Sequence, residues 1–320
     1  MPNRTLSQPV SSTAASVRTG TAAILSASIL WGSTGTAASL APPGISAAAI
    51  GATGLAGGGL LLCVTGRRNR PHYRPSERWL LVLGACAVAG YPVTFYPAVA
   101  RTGVAVATVV ALGSAPVFAG LLAWCTGRGR PSPRWCVATL LAVSGCAALV
   151  AGPELSDSNA MIDLRGVALA SCAGLTYAVY SRLGGTLISR GHASNSVMGT
   201  MFGIAAVLVL PVVAGSNPMW LSTFRGAAVA VHLAVLTTFL AYRLFGYGLR
   251  HTSVETATTL TLAEPAVAAV LGVTVVGERL PLLSWAGMAI LAAALSLLTF
   301  RRRTRKPSTD VVAEASGPRR

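Results

Sequence analysis

The side chains able to do chemistry are few, and most of them stand alone. Glu264 lies in the middle of an apolar run, Ser253–Val276, and Pro265 follows it directly. A carboxyl group costs free energy in hydrocarbon, so one placed there serves a ligand, a proton or a broken backbone. Pro265 has no N–H to give to the Thr261 carbonyl, and its ring crowds that carbonyl, so a helix bends at this point. At 1.5 Å per residue Glu264 stands about 16 Å from Ser253, near the middle of a bilayer. Two readings stay open. The carboxyl binds a proton or a cationic group, or it stays protonated and satisfies the polar groups that the bend exposes.

Other candidates are aromatic. Tyr91, Thr94 and Phe95 share one helical face at i, i+3 and i+4. Trp31 and Tyr177 fall at similar depths in their own runs. Aromatic walls with a few polar groups suit an amphipathic metabolite, and helix packing is the alternative. Tyr96 and Tyr180 are nearer helix ends, where an interfacial belt accounts for them. His232, six residues into its run, is either a proton relay to Glu264 or an interhelical hydrogen bond. Arg243, Arg250, His251 and Glu255 are expected to snorkel to the interface and pair there, and Glu278-Arg279 to pair locally. The six cysteines have neither CxxC nor metal-ligand spacing, and the four histidines are scattered. No metal site, cofactor site or nucleophile–base pair can be assembled, which argues against an enzyme. There is no P-loop either.

The elements that must position these residues follow from composition. Hydrophobic residues make up 53% and charged residues 11%, with mean hydropathy +0.63. Soluble chains carry about 25% charge, so this is an all-α integral membrane protein. Ten apolar runs appear: 21–40, 45–65, 78–98, 104–126, 134–151, 166–183, 196–214, 226–246, 253–276 and 282–300. The tails, 1–20 and 301–320, are polar and expected to be disordered. The net charge of +16 comes from short connections between these runs, so it reads as topology and not as nucleic-acid binding. With the N-terminus inside, 21 Lys and Arg fall on the cytoplasmic side and 4 outside, the latter being Arg101, Arg165, Arg225 and Arg279. Both termini are therefore expected in the cytoplasm, with the chain spanning the cytoplasmic membrane ten times.

The chain also repeats itself. Arg101 and Pro116 are fifteen residues apart, as are Arg250 and Pro265, and Trp135 and Trp285 open the following run in each half. The halves are 21–151 and 165–300. Five helices is an odd number, so equivalent helices run in opposite directions, the inverted-repeat architecture that places a substrate site at the midplane. Helix-breaking prolines at equivalent positions, Pro116 and Pro265, mark the same cavity. Glu264 has no counterpart, because Ala115 stands opposite it.

With these residues in view, the chain resembles the drug/metabolite transporter superfamily, and within it the EamA-like transporters. The resemblance rests on Trp31-Gly32-Ser33, Tyr242-Arg243-Leu244-Phe245 with Gly248-Leu249-Arg250, Glu264-Pro265 and Gly277-Glu278-Arg279-Leu280, over residues 20–300. It implies a ten-helix carrier with a central cavity and a small metabolite as substrate, often exported. Amino acids, other polar metabolites and hydrophobic cations all fit a small-residue cavity with one acid and several aromatics. The first half departs from the pattern at Gly127-Arg128-Gly129-Arg130, which has no acid, and around Ile50-Gly51, which lacks an arginine. The expected activity is secondary active export by alternating access, with the proton gradient as driving force resting on Glu264 alone. An uptake carrier and a non-transporting partner subunit are the alternatives. Nothing in the sequence sets an oligomeric state.

Overall fold

In hydrocarbon every backbone N–H and C=O must be satisfied within the chain, so long apolar runs become helices. The computed structural model describes residues 10–67, 72–127, 131–151, 163–216, 218–277 and 279–299, and among these there is no strand. In chain order the helices are α1 (Val10–Ser39), α2 (Ala47–Gly66), α3 (Pro75–Val104), α4 (Val106–Cys125) and α5 (Pro133–Ala151), then α6 (Leu164–Ser189), α7 (Ser194–Gly215), α8 (Phe224–Gly248), α9 (Val254–Val275) and α10 (Leu282–Thr299). Eight of them are long and apolar enough to cross a membrane. The two that fall short, α1 and α6, are diluted by Ser, Thr and Gly. Both are enclosed by neighbours: α1 packs on α8 and α9, and α6 packs on α3 and α4. A helix surrounded by protein has less lipid to face and tolerates that composition.

Two boundaries differ from the sequence expectation. The N-terminal tail is not wholly irregular, because α1 already begins at Val10. No loop separates α3 from α4. One residue, Gly103 at φ 79°, breaks an otherwise continuous helix, a conformation open to glycine without a Cβ penalty. The tail 301–320, and with it Glu154, Asp157, Arg128, Arg130 and Glu278, lies outside the described residues.

Small residues set the packing. On α2, a Cβ at Gly59 would strike the Phe202 carbonyl of α7, and one at Gly58 the Ala234 carbonyl and Thr238 of α8. A Cβ at Gly66 would strike the Asn195 carbonyl of α7 and press on Gly199. The same device joins α5 to α10 through Gly145 and Gly287, and α1 to α9 through Gly32, which abuts Val267 and the Glu264 carbonyl. Such close approach is how helices associate where lipid offers no hydrophobic drive.

Ionic contacts gather at helix ends. Arg101 pairs with Asp163 at 3.1 Å where α3 meets the N-cap of α6. Glu77 faces His192 at 3.1 Å and Arg190 at 3.8 Å. Arg182 reaches Glu255 at 3.7 Å and also donates to the Thr126 hydroxyl. The expected cluster at the ends of α8 and α9 is thus rearranged: Glu255 pairs with α6, Arg243 lies over the Phe239 ring, and His251 packs on Tyr247.

Candidate substrate cavity

Between the two halves of the chain lies a cavity of about 190 Å³. Eight helices contribute to its wall; α5 and α10 contribute none of the lining residues. Trp31 and Thr34 come from α1, Tyr91, Pro92 and Tyr96 from α3, Tyr177 and Tyr180 from α6, and Thr237, Thr238 and Tyr242 from α8. Gly51 and Gly54 of α2 open the wall by having no side chain, and Phe202 of α7 and Glu264 of α9 complete it.

Glu264 is half-buried and faces this space. It sits just past a break in α9, where regular helix stops at Leu260 and resumes at Ala263. Pro265 withholds its bond from the Thr261 carbonyl, and the backbone N–H of Glu264 takes the place at 3.0 Å. The bend is therefore satisfied by backbone, and the carboxyl is not spent on it. Among the described residues the Glu264 side chain has neither a hydrogen bond nor an ion pair. The neighbouring turn is held by hydroxyls: Tyr177 donates to the Thr261 hydroxyl at 2.9 Å, which in turn donates to the Thr258 carbonyl at 2.8 Å.

The aromatic wall is contiguous. Trp31 packs on Tyr242 at 4.9 Å, Tyr242 on Phe202 at 4.0 Å, and Tyr177 on Tyr180 at 5.2 Å, while Tyr91 meets Tyr177 edge-on at 6.5 Å. Tyr180 and Tyr242 share a hydrogen bond of 3.2 Å. The Trp31 indole donates to the Thr237 carbonyl at 2.9 Å. That carbonyl lies in a π-helical stretch, His232–Leu240, whose wider turn offers acceptors that a regular α-helix keeps for itself.

Of the expected site residues, Trp31, Tyr91, Tyr177 and Glu264 come together here. Thr94 and Phe95 do not. The Thr94 hydroxyl bonds back to the carbonyls of Gly90 and Tyr91, and Phe95 stacks on Tyr91 at 5.4 Å beside the alanines that join α3, α4 and α6. Pro265 is buried at the bend but does not line the cavity, and Pro116 lies in an unbroken helix away from it, so the paired-proline expectation fails in the first half. His232 bonds to the Ser33 hydroxyl at 2.9 Å, and no contact joins it to Glu264 among the described residues. Tyr96 and Tyr180, assigned to an interfacial belt by their depth, instead face the cavity, and Tyr242 and Phe202 were missed as lining. A usable signal existed for α8, where Thr238 and Tyr242 stand at i and i+4.

The EamA-like transporter family model matches twice, over residues 18–151 and 164–300. The chain belongs to the EamA-like transporter family. It is 37% identical over 298 residues to the uncharacterized transporter YwfM of Bacillus subtilis, covering 92% of this chain and 97% of that one. It is 30% identical over 274 residues to the threonine/homoserine exporter RhtA of Escherichia coli, covering 84% and 88% of the two chains. A solved crystal structure superposes with a TM-score of 0.73 over 88% of this chain and 98% of its own, at 18% identity, a likeness of fold. The protein is thus a multi-pass membrane transporter, with a small molecule as its substrate.

Proposed function

We propose that this chain is a secondary active carrier that exports a small organic metabolite across the cytoplasmic membrane by alternating access. The observation that carries the reading is the cavity itself: residues from eight helices, six of which supply polar or aromatic side chains, enclose a carboxyl that has no partner among the described residues. Its walls come from both halves of the chain, as expected of a carrier whose halves rock around a shared site.

The accompanying architecture is ten transmembrane helices in two inverted five-helix repeats, 21–151 and 165–300, with both termini cytoplasmic. Three observations support it. One family model matches each half. The pairings map onto one another when five is added to a helix number: α1 on α8 and α9 becomes α6 on α3 and α4, while α2–α7 and α5–α10 map onto themselves. The two helices of lowest hydropathy, α1 and α6, are equivalent in this scheme. The distribution of Lys and Arg sets the orientation. Likeness to an exporter of threonine and homoserine supports the export direction and a substrate of amino-acid size.

Glu264 is the candidate for proton coupling. The test compares metabolites outside cells with and without overproduction of the chain, then moves the accumulating compound into proteoliposomes. Wild type is expected to transport it with a rate that depends on the pH gradient, and Glu264→Gln to lose that dependence. Unchanged pH-driven transport in the variant removes Glu264 from coupling.

A further inference from the structure

The charge inventory of the cavity narrows what it can hold. Among the described residues Glu264 is the one carboxyl that lines the cavity, beside the tyrosine phenols, and no Lys, Arg or His is part of the lining. A carboxylate ligand entering there would leave water without a cationic partner and would meet a second carboxyl, and burying an unpaired charge is costly. A cation meets the opposite situation. The phenol groups of Tyr91, Tyr177 and Tyr242 all lie within electrostatic range of the Glu264 carboxyl. Aromatic faces attract ammonium groups, the more so when water is excluded.

Hydrogen-bond donors point the same way. The Trp31 N–H is committed to the Thr237 carbonyl and the Tyr177 hydroxyl to Thr261, while Thr237 donates to the Leu233 carbonyl. One hydroxyl of the Tyr180–Tyr242 pair is likewise occupied as donor. Several donors are thus engaged with the protein, the hydroxyls of Tyr91, Tyr96, Thr34 and Thr238 remain as neutral donors, and the one carboxyl in the wall has no partner among the described residues. Gly51 and Gly54 of α2 add neither charge nor side chain to the wall.

We propose that the cavity selects small organic cations, amines that carry no carboxylate, and seats their ammonium group between Glu264 and the rings of Tyr91, Tyr177 and Tyr242. This rests on the carrier reading and adds the substrate class to it.

The test uses the purified full-length chain and ligands matched in shape but not in charge. One set is 3-aminopropanol, homoserine and 4-hydroxybutyrate; a second is tyramine, tyrosine and 4-hydroxyphenylpropionate. Binding is read by ligand-induced thermal stabilisation in detergent, and movement by counterflow in proteoliposomes. Each amine is expected to bind at least about tenfold more tightly than its amino acid, and the acids weakest of all, as for a charge leaving water without a partner. Glu264→Gln, checked for folding by size exclusion, is expected to lose at least about tenfold in amine affinity, and Glu264→Asp to lose less. Homoserine or tyrosine binding as tightly as its amine overturns the proposal, as does failure of every amine to bind, or unchanged amine affinity in Glu264→Gln. Amines that bind but never move leave the substrate class standing and overturn the carrier reading. Amino acids that move in preference to amines do the reverse.

Discussion

Trp31 and Tyr177 show how single hydrogen bonds brace the cavity wall, and they are not equivalent. The Trp31 N–H serves a main-chain carbonyl in the π-helical stretch of α8, whereas the Tyr177 hydroxyl serves a threonine hydroxyl that keeps another partner. Removing a donor from a buried carbonyl costs about 1–3 kcal/mol, while losing one ordinary bond costs about 0.5–1.5 kcal/mol. Trp31→Phe is therefore expected to lower the unfolding midpoint in detergent more than Tyr177→Phe does. Equal midpoints for the two variants would show that the Thr237 carbonyl finds another donor. Trp31, Tyr91, Tyr177 and Glu264 were legible because depth within an apolar run is countable from sequence. The same counting misplaced Tyr96 and Tyr180, since distance from a helix end does not say whether a ring turns toward lipid or inward. The role of Glu264 at the bend was not legible, because the group that occupies the Thr261 carbonyl depends on the local path of the backbone, and it is the N–H of Glu264 itself.

Helices here are positioned by what their small residues touch, and this makes two glycines behave in opposite ways. At Gly59 an added Cβ strikes the Phe202 carbonyl, which cannot move without α7. At Gly35 it meets nothing within 4 Å. Overpacking costs about 1–3 kcal/mol, and replacing a helical glycine by alanine gains up to about 1 kcal/mol. Gly59→Ala is expected to lower thermal stability and Gly35→Ala to hold or raise it; the same sign for both would mean that the α2–α7 contact yields freely. That α2 is rich in glycine was plain in the sequence, but a glycine stripe does not name the helix it faces, so the α2–α7 and α2–α8 pairings were not readable. At the start of α6, Asp163 caps the helix through the Arg165 N–H at 2.8 Å and pairs with Arg101. The cap bond first, and Arg101 second, hold its carboxyl below the usual carboxylate range. A depressed value in the folded state means that the contribution is complete above the ordinary carboxylate value and lost as pH falls through the folded one. Asp163→Asn should flatten that acidic limb of the stability profile, and thermal melts across the acid range measure it.

For the whole molecule, the cavity has two unequal ends. Toward Thr34, Gly51 and Tyr96 its walls are half-buried, while beyond Tyr180 and Tyr242 the next residues are packed: Ser181, Arg182, Thr258 and Leu260 are all buried. Arg182 ties the end of α4, through Thr126, to Glu255 at the start of α9, so one guanidinium joins three helices across the packed end. The spacing of Arg101, Pro116, Arg250 and Pro265 raised the expectation of a repeat, but nothing in the sequence pointed to this tie, because neither Arg182 nor Glu255 belongs to a recurring pattern. A buried ion pair is weak as a source of stability, yet removing one member leaves the other charge without compensation and favours arrangements that return it to water. On the carrier reading, that arrangement is the state open at the opposite end. Arg182→Gln is then expected to expose Thr258, seen as faster reaction of a Thr258→Cys thiol with a membrane-impermeant reagent, in a background lacking the six native cysteines. Exchanging the pair, Arg182→Glu with Glu255→Arg, should restore protection, whereas unchanged labelling in Arg182→Gln would show that aromatic packing at Tyr180, Tyr242 and Phe202 closes this end without the ion pair.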